Sequence, residues 1–277
     1  MKTGWFAACV LMVAIVTTPG AFAQPAAKGE FQPYSGQPGK DVVWVPTPES
    51  VVNKMLDLAQ VSPQDFLVDL GSGDGRTVIA AGKRGLRAIG VEFNPDMVTI
   101  SNREASRAGV ADKVKFVNGD IFATDFSQAT VLTMYLLPSL NLRLRPTVLD
   151  MKPGTRVVSH AFNMAEWEPD ETANVDGRQA FLWIVPVKLS GNWTMQIGGQ
   201  ARELVLQQTF QILNGSLKVG SESTALNDAR IRGEELHFAT VERGVRHEFT
   251  GRAQGNVISG MVKVPGQSDA AWTASRR

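Results

Sequence analysis

The chain has 277 residues, of which 43% are hydrophobic and 20% charged, and its formal net charge at pH 7 is +1. This length and composition are enough for one large or two modest globular cores. The near-neutral charge gives no electrostatic basis for nucleic acid as the main partner. The single cysteine, Cys9, lies in an N-terminal apolar stretch. A chain cleaved behind that stretch therefore has no disulfide, thiolate metal site or cysteine nucleophile.

The first residues have the features of a signal peptide. Lys2 precedes an apolar run from Trp5 to Val16, and Ala21-Phe22-Ala23 forms a small-residue cleavage signal. The run is too short to span a bilayer comfortably. We therefore expect residues 1–23 to be removed and the protein to be periplasmic or secreted, without a stable membrane span. The alternative is an uncleaved membrane anchor formed by residues 5–16. Residues 24–40, rich in Pro, Gly, Ala and Gln, are expected to form a flexible lead-in.

A glycine-rich corner follows the first strand of the next region, which we place at residues 41–187. Residues 66–68 predict a buried strand, Arg76 opens a predicted helix, and between them lies the run from Asp69 to Gly75, Asp-Leu-Gly-Ser-Gly-Asp-Gly. Glycines let a ligand approach the backbone, and the helix end offers unpaired N–H groups, so the corner predicts a nucleotide site. The dinucleotide pattern G-x-G-x-x-G is absent because Arg76 and Val78 occupy its last position in the two possible alignments. A nicotinamide oxidoreductase is therefore disfavoured.

Strands and helices alternate on both sides of this corner. Thr47, Pro48 and Glu49 predict a helix start with Thr47 as its N-cap, and further strands are predicted at 88–92, 114–121 (with a turn), 131–136, 156–159 and 180–187. This alternation favours a parallel, doubly wound α/β sheet with its ligand at the carboxyl ends of the strands. Asp69, Glu92 and Asp120 stand at three successive strand ends. A carboxylate in such positions suits ribose hydroxyls or an adenine amino group.

With these residues in place, the stretch from about Val45 to Val187 resembles a class I, seven-β-strand S-adenosylmethionine-dependent methyltransferase. It looks most like small bacterial proteins and their mitochondrial lysine-methylating relatives. The pieces that carry the resemblance are 45–48 (VPTP), 69–76 (DLGSGDGR), 90–92 (GVE), 119–120 (GD), 133–138 (TMYLLP), 144–146 (LRP) and 152–156 (KPGTR). The resemblance implies a Rossmann-like methyltransferase sheet and S-adenosylmethionine as the cofactor.

The resemblance also implies roles for individual residues. Asp69 would hold the amino group of the cofactor, Glu92 the ribose, and Asp120 the adenine amino group. The full cofactor-binding set that it implies is Asp69, Gly71, Ser72, Gly73, Gly75, Glu92, Asp120 and Ile121. Tyr135 and Pro138, in the 135–138 loop, correspond to positions that line the acceptor channel. This loop departs from the Asn/Asp-Pro-Pro-Tyr motif of amino-methylating DNA enzymes, which disfavours a nucleobase acceptor.

A catalytic base is not required for this chemistry, because the methyl group is already activated and the protein mainly aligns the acceptor. His160, at the end of the fifth strand, is the one candidate base, with a structural role as the alternative. No metal site is expected, since the histidines and carboxylates show no metal-ligand spacing.

From Lys188 onward, short alternating runs separated by glycine replace the helical pattern. Residues 188–277 therefore predict a small all-β domain, an antiparallel barrel or meander, with Asn214-Gly215 as a hairpin turn. This domain would serve either as a substrate-docking module or as a stability or oligomer element.

These features together predict an S-adenosylmethionine-dependent methyltransferase. Its acceptor would be an amine, with protein lysine favoured and a small molecule second. The alternative is an exported, non-catalytic binding or scaffold protein built on the same fold.

Overall fold

Helices and strands are mixed as far as residue 184, and only strands follow. The computed structural model of the chain describes Met1 and residues 31–277, so the predicted leader beyond Met1 lies outside the described residues. The helices are α1 (Glu49–Leu58), α2 (Arg76–Lys83), α3 (Pro95–Arg107) and α4 (Pro138–Leu149). The strands of the first sheet are β1 (Phe66–Leu70), β2 (Arg87–Glu92), β3 (Val114–Asn118), β4 (Val131–Met134), β5 (Arg156–His160), β6 (Glu171–Val175) and β7 (Arg178–Ile184).

The first sheet has the order β3-β2-β1-β4-β5-β7-β6. Strands β1 to β5 are parallel, whereas β7 runs antiparallel to both β5 and β6. The predicted doubly wound sheet is confirmed. The order reverses between β1 and β4, and such a reversal opens a crevice at the carboxyl ends of the strands. The sequence did not predict β6, and the sixth strand predicted at 180–187 corresponds to β7.

Both faces of this sheet are covered, which explains why its central strands are continuous apolar runs. Successive residues of β1 point to opposite faces. Leu67 packs into a core cluster with α1 residues such as Met55, and Val68 packs into a second cluster that contains Leu144 of α4.

The start of α1 differs in detail from the prediction. The helix begins at Glu49, Pro48 occupies the cap position, and no side chain caps the helix. The Thr47 hydroxyl instead lies 3.1 Å from Nδ1 of His160. Thr47 as an N-cap was therefore wrong, because a tertiary partner at the end of β5 takes its hydroxyl.

The remaining strands form an antiparallel sheet that closes on itself. They are β8 (Gly191–Ile197), β9 (Gln200–Thr209), β10 (Ile212–Val219), β11 (Glu222–Ala225), β12 (Asn227–Arg232), β13 (Glu235–Glu242), β14 (Val245–Gln254), β15 (Val257–Lys263) and β16 (Ala270–Arg276). Pairing of β9 with β10 joins the ends, so eight strands make a barrel and β11 lies outside it on β10. Buried Trp193, Phe238, Phe249 and Trp272 fill its interior. The predicted small β-barrel is confirmed.

The predicted boundary between residues 187 and 188 falls in the connection between β7 and β8. Residues 33–277 form one compact unit that holds both sheets. None of the helices in the described part of the chain has the length and apolar character needed to cross a membrane.

The predicted hairpin turn at Asn214-Gly215 was wrong. The chain reverses at Phe210 and Gln211, with Phe210 at φ 53°, and Asn214 and Gly215 lie inside β10. Asn214 pairs with Gln207 on β9. Gly215 is required there for close approach, because a Cβ atom on it would lie 1.9 Å from the Val205 carbonyl oxygen.

Candidate active site

A cavity of about 310 Å³ lies at the carboxyl ends of the central strands of the first sheet. Its wall includes most residues of the predicted site: Asp69, Gly71, Ser72, Glu92, Asp120, Ile121 and Tyr135. Three predicted site residues, Gly73, Gly75 and Pro138, lie outside this lining. The topology therefore brings together side chains that are up to 66 positions apart in sequence, as Asp69 and Tyr135 are.

The glycine-rich corner connects β1 to α2. Gly71 and Ser72 donate their backbone N–H groups to the Val91 carbonyl, at 2.9 and 3.0 Å, which ties the corner to β2. Gly73 has φ 54°, and a Cβ atom on it would lie 2.3 Å from Nε1 of Trp44. Gly73 thus allows an indole to pack on the corner.

Gly75 has a different role in the corner. It is the cap residue of α2, with φ 81°. A Cβ atom on Gly75 would lie 2.6 Å from Cε1 of Phe116, on β3. Packing of the corner against β3 therefore explains why residue 75 has no side chain. The predicted contact of Gly75 with the cofactor stays a prediction.

Asp69 is a buried carboxyl in the cavity wall. It accepts a hydrogen bond from the Thr133 hydroxyl at 2.6 Å, across the β1–β4 pair. Burial raises the pKa of Asp69 to about 7, a shift that the Thr133 hydrogen bond opposes and the negative charges of Glu92 and Asp74 increase. A cationic group placed against this carboxylate would relieve the cost of ionising it.

Glu92 ends β2 and is held in a fixed orientation. Its two carboxylate oxygens accept backbone hydrogen bonds from Gly73 and Asn94, both at 2.9 Å. Asp120 follows β3, accepts a hydrogen bond from the Phe122 backbone at 2.9 Å and forms an ion pair with Lys40. The hydrogen bonds from Lys40 and Phe122 lower the pKa of Asp120.

Residues 34–47 form a strap that contributes to the cavity wall. Gln37 and Trp44 pair as an antiparallel bridge, and the buried Gln37 amide contacts Sδ of Met97 at 3.3 Å. The Lys40 ammonium lies 4.8 Å from the centre of the Phe93 ring. The chain is therefore folded from residue 34, within the predicted lead-in. Sequence reasoning missed Lys40 and Trp44 as site residues; the apolar run 42–45 was a usable signal only for Trp44, since Val43 and Val45 are exposed.

Aromatic and aliphatic side chains form another part of the wall. Tyr135 follows β4, and its ring centre lies 6.1 Å from that of Phe162. Leu136, Leu137 and Phe162 line the cavity as well. Pro138 is the first residue of α4 and fixes where that helix begins. Phe162 was missed by sequence reasoning, although its place just beyond β5 at the carboxyl edge of the sheet was a usable signal.

His160 lies behind this wall and does not line the cavity. It is 2% exposed, its ring centre is 4.0 Å from that of Tyr135, and Nδ1 faces the Thr47 hydroxyl. Burial, with a smaller effect of Arg178, lowers the pKa of His160 to about 4. The geometry favours the structural alternative, in which a neutral imidazole supports Tyr135 and Thr47.

Comparison with known proteins identifies the family. Residues 69–171 match the family model described as the ANTKMT methyltransferase domain. The chain is 44% identical, over 138 residues, to a protein-lysine N-methyltransferase of Saccharolobus islandicus, covering 49% of this chain and 86% of that protein. The chain belongs to the class I S-adenosylmethionine-dependent methyltransferases.

Two further comparisons agree with this assignment. The methyltransferase is 35% identical over 171 residues to a human lysine N-methyltransferase that is named for a subunit of the ATP synthase, covering 61% of this chain and 68% of the human protein. It is 50% identical to the crystal structure of an RNA methyltransferase from Salinibacter ruber in complex with S-adenosyl-L-homocysteine, with a TM-score of 0.51, covering 52% of this chain and 96% of that one. The protein is an S-adenosylmethionine-dependent enzyme.

The cavity wall of the methyltransferase fits this cofactor. Ser72 lines the cavity, and its buried hydroxyl has no hydrogen-bond partner among the described residues. Asp69 offers a desolvated carboxylate to an ammonium group, and Glu92 offers a pre-oriented carboxylate to hydroxyl groups. The assignment of each of these residues to a part of the cofactor stays a prediction.

Proposed function

We propose that this methyltransferase transfers the methyl group to the side-chain amine of a protein lysine. The main support is an aromatic and aliphatic wall in the cavity, formed by Tyr135, Leu137 and Phe162. Asp69 and Glu92 line the same cavity. Such a wall suits the long apolar stem of a lysine. The names of the relatives support the same acceptor, and they include the mouse adenine nucleotide translocase lysine N-methyltransferase, 36% identical over 120 residues.

The chain's own residues would prepare the amine and align it. Bound S-adenosylmethionine supplies a methyl group already activated by its sulfonium. A lysine nitrogen attacks only when neutral, and an apolar wall that excludes water lowers the pKa of the amine. Tyr135 and Phe162 would guide the side chain, and Tyr135 is itself fixed by the packing of His160. Alignment of the nucleophile then accounts for most of the catalysis.

RNA is a second candidate acceptor, because the Salinibacter ruber protein is described as an RNA methyltransferase. The charges near the cavity weigh against it. Lys40 pairs with Asp120, Arg76 with Asp74 and Arg145 with Glu166. These cations are already neutralised, whereas binding of nucleic acid depends on basic groups that can meet phosphates.

The acceptor test compares three substrate classes with one labelled cofactor. Purified protein would be incubated with tritiated S-adenosylmethionine and poly-L-lysine, total RNA, or N-acetyl-lysine methyl ester as a small amine. Methyl-lysine in the polymer, identified by mass spectrometry and reduced in a Phe162→Ala variant, is the expected result. Glu92→Ala serves as the control with impaired cofactor binding. Label in RNA or in the small amine, with none in the polymer, would contradict a protein lysine acceptor.

We also propose that residues 1–23 act as a cleaved signal peptide that directs the protein to the periplasm or outside the cell. The proposal rests on the sequence of Lys2, the 5–16 apolar run and the Ala21-Phe22-Ala23 signal. Cell fractionation and N-terminal sequencing would test it. The expected mature chain begins at Gln24, and an intact N-terminus in the membrane fraction would instead indicate an anchor through residues 5–16.

A further inference from the structure

The tip of the β9–β10 hairpin of the barrel packs against a core cluster of the methyltransferase sheet. Phe210, at the tip of this hairpin, packs against the core cluster that contains Trp167 and Trp183, and not into the barrel interior. Its ring is stacked on that of Trp167, with centres 6.0 Å apart and an angle of 15°. The next residue, Gln211, is 2% exposed and donates its side-chain amide to the Glu168 carbonyl at 2.6 Å.

The segment that receives this hairpin is residues 161–170, here called the post-β5 loop. It carries Phe162 into the cavity wall. Two of its residues, Ala161 and Ala165, have φ values of 63° and 53°. The left-handed region is unfavourable for alanine, so such a conformation persists only where the surroundings fix it. The loop therefore depends on its neighbours for its shape.

Helix α4 holds the loop on one side. The buried Asn141 amide donates to the carbonyl oxygens of Phe162 and Asn163, at 3.2 and 3.3 Å. Arg145 donates to the Met164 carbonyl at 2.9 Å, and its guanidinium also lies 5.4 Å from the centre of the Phe210 ring. Arg145 thus joins the loop and the hairpin. The sheet also holds the loop, through hydrogen bonds from the Ser159 hydroxyl to the Phe162 carbonyl at 2.7 Å and from the Trp183 indole to the Trp167 carbonyl at 2.7 Å. The hairpin is a further support beside α4 and the sheet.

We propose that the β9–β10 hairpin is a positioning element for the acceptor side of the active site. It fixes the post-β5 loop, and through it Phe162, without itself touching the acceptor. The barrel would therefore tune acceptor binding from behind the cavity wall. This inference rests on the proposed function of that wall, whereas Asp69 and Glu92, which are predicted to face the cofactor, lie on β1 and β2, strands that do not pair with the hairpin.

The test removes the stacked ring and follows the loop directly. Phe210→Ala is compared with Phe210→Tyr, which keeps the stack, and with Val241→Ala, an exposed barrel position 46% accessible to solvent. Hydrogen exchange of peptides covering 161–168, the Kd for S-adenosyl-L-homocysteine and the KM for poly-L-lysine are measured. For Phe210→Ala we expect exchange and KM to rise on the order of tenfold, as loss of one aromatic stack predicts. The Kd should change less than about twofold, and both other variants should behave like the unsubstituted enzyme.

Unchanged exchange at 161–168 in folded Phe210→Ala would overturn the inference, and so would faster exchange with an unchanged KM. Faster exchange with a raised KM and an unchanged Kd would support it. If the unsubstituted enzyme leaves poly-L-lysine unmodified, the lysine assignment fails by itself, and hydrogen exchange still decides whether the hairpin holds the loop. If Phe210→Ala does not fold, Gln211→Met, which removes the hydrogen bond to the Glu168 carbonyl, takes its place with the same expectations.

Discussion

Ionisation of Asp69 is expected to weaken the folded state as the pH rises towards neutral. Burial raises its pKa to about 7 from an ordinary value of 3.8, with the Thr133 hydrogen bond opposing this and the charges of Glu92 and Asp74 adding to it. A folded-state pKa above the unfolded one means that the folded protein holds the proton more tightly. The contribution of Asp69 to the free energy of unfolding therefore falls as the pH rises from about 4 to about 7, and it is nearly level above that range.

The size of the effect follows from the two pKa values. Their difference corresponds, at about 1.4 kcal/mol per pKa unit, to roughly 4 kcal/mol in total. About 2 kcal/mol of this decline falls between about pH 5.5 and about pH 8.5. Asp69→Asn keeps the shape of the side chain and an oxygen for the Thr133 hydroxyl, but it cannot ionise. We expect the variant to lack this 2 kcal/mol decline and to bind S-adenosyl-L-homocysteine about 10–100-fold more weakly.

Urea unfolding followed by tryptophan fluorescence at the two pH values would measure the decline, and calorimetry would measure the affinity. Asp65→Asn is the matched control, just before the same strand. Burial of Asp65 opposes its ionisation, but hydrogen bonds from Arg156, Thr130 and Ser62 outweigh it and lower its pKa. Its carboxylate therefore stabilises the fold at both pH values, and its loss should lower stability at both. An equal decline in the Asp69→Asn and unsubstituted proteins would refute the reasoning.

Four further substitutions probe the glycine-rich corner, the strap and the imidazole. Gly73→Ala places a Cβ atom 2.3 Å from the Trp44 indole at φ 54°, so calorimetry should show affinity for S-adenosyl-L-homocysteine falling about tenfold. The double variant Gly73→Ala/Trp44→Ala should recover part of the lost affinity. If the effects of the two substitutions on affinity simply add, the proposed clash is contradicted. Lys40→Met removes the half-exposed ion pair with Asp120. Stopped-flow measurements should then show S-adenosyl-L-homocysteine dissociating a few-fold faster, and high salt should have the same effect on the unsubstituted protein. Because the pKa of His160 is about 4, the pH profile of the methylation rate should keep all its inflections between about pH 5 and pH 8 in the His160→Gln variant. Loss of an inflection in that range would instead identify His160 as a catalytic base.

Local sequence was sufficient for the parts of the site that local geometry builds. The run from Asp69 to Gly75 is short, so few backbone conformations let it connect a strand to a helix. Its glycines adopt positive φ and so allow the turn that the structure shows. Glu92 and Asp120 could be placed because the apolar runs before them fixed where two strands end. Parallel strands bring those ends to one edge of the sheet, so the meeting of Asp69, Glu92 and Asp120 in one cavity was predictable.

Contacts between distant segments were decided only by the tertiary structure. The polar edge strand β6 gave no apolar signal, and Asn214-Gly215 has the composition of a turn although it lies within β10. The seat of Trp44 on Gly73 and the stack of Phe210 on Trp167 join residues 29 and 43 positions apart. Neither pair has a spacing or periodicity that marks it, because such contacts depend on strand order, barrel closure and the packing of one sheet against the other. The strap over the glycine-rich corner and the Phe162 side of the cavity are therefore properties of the whole fold.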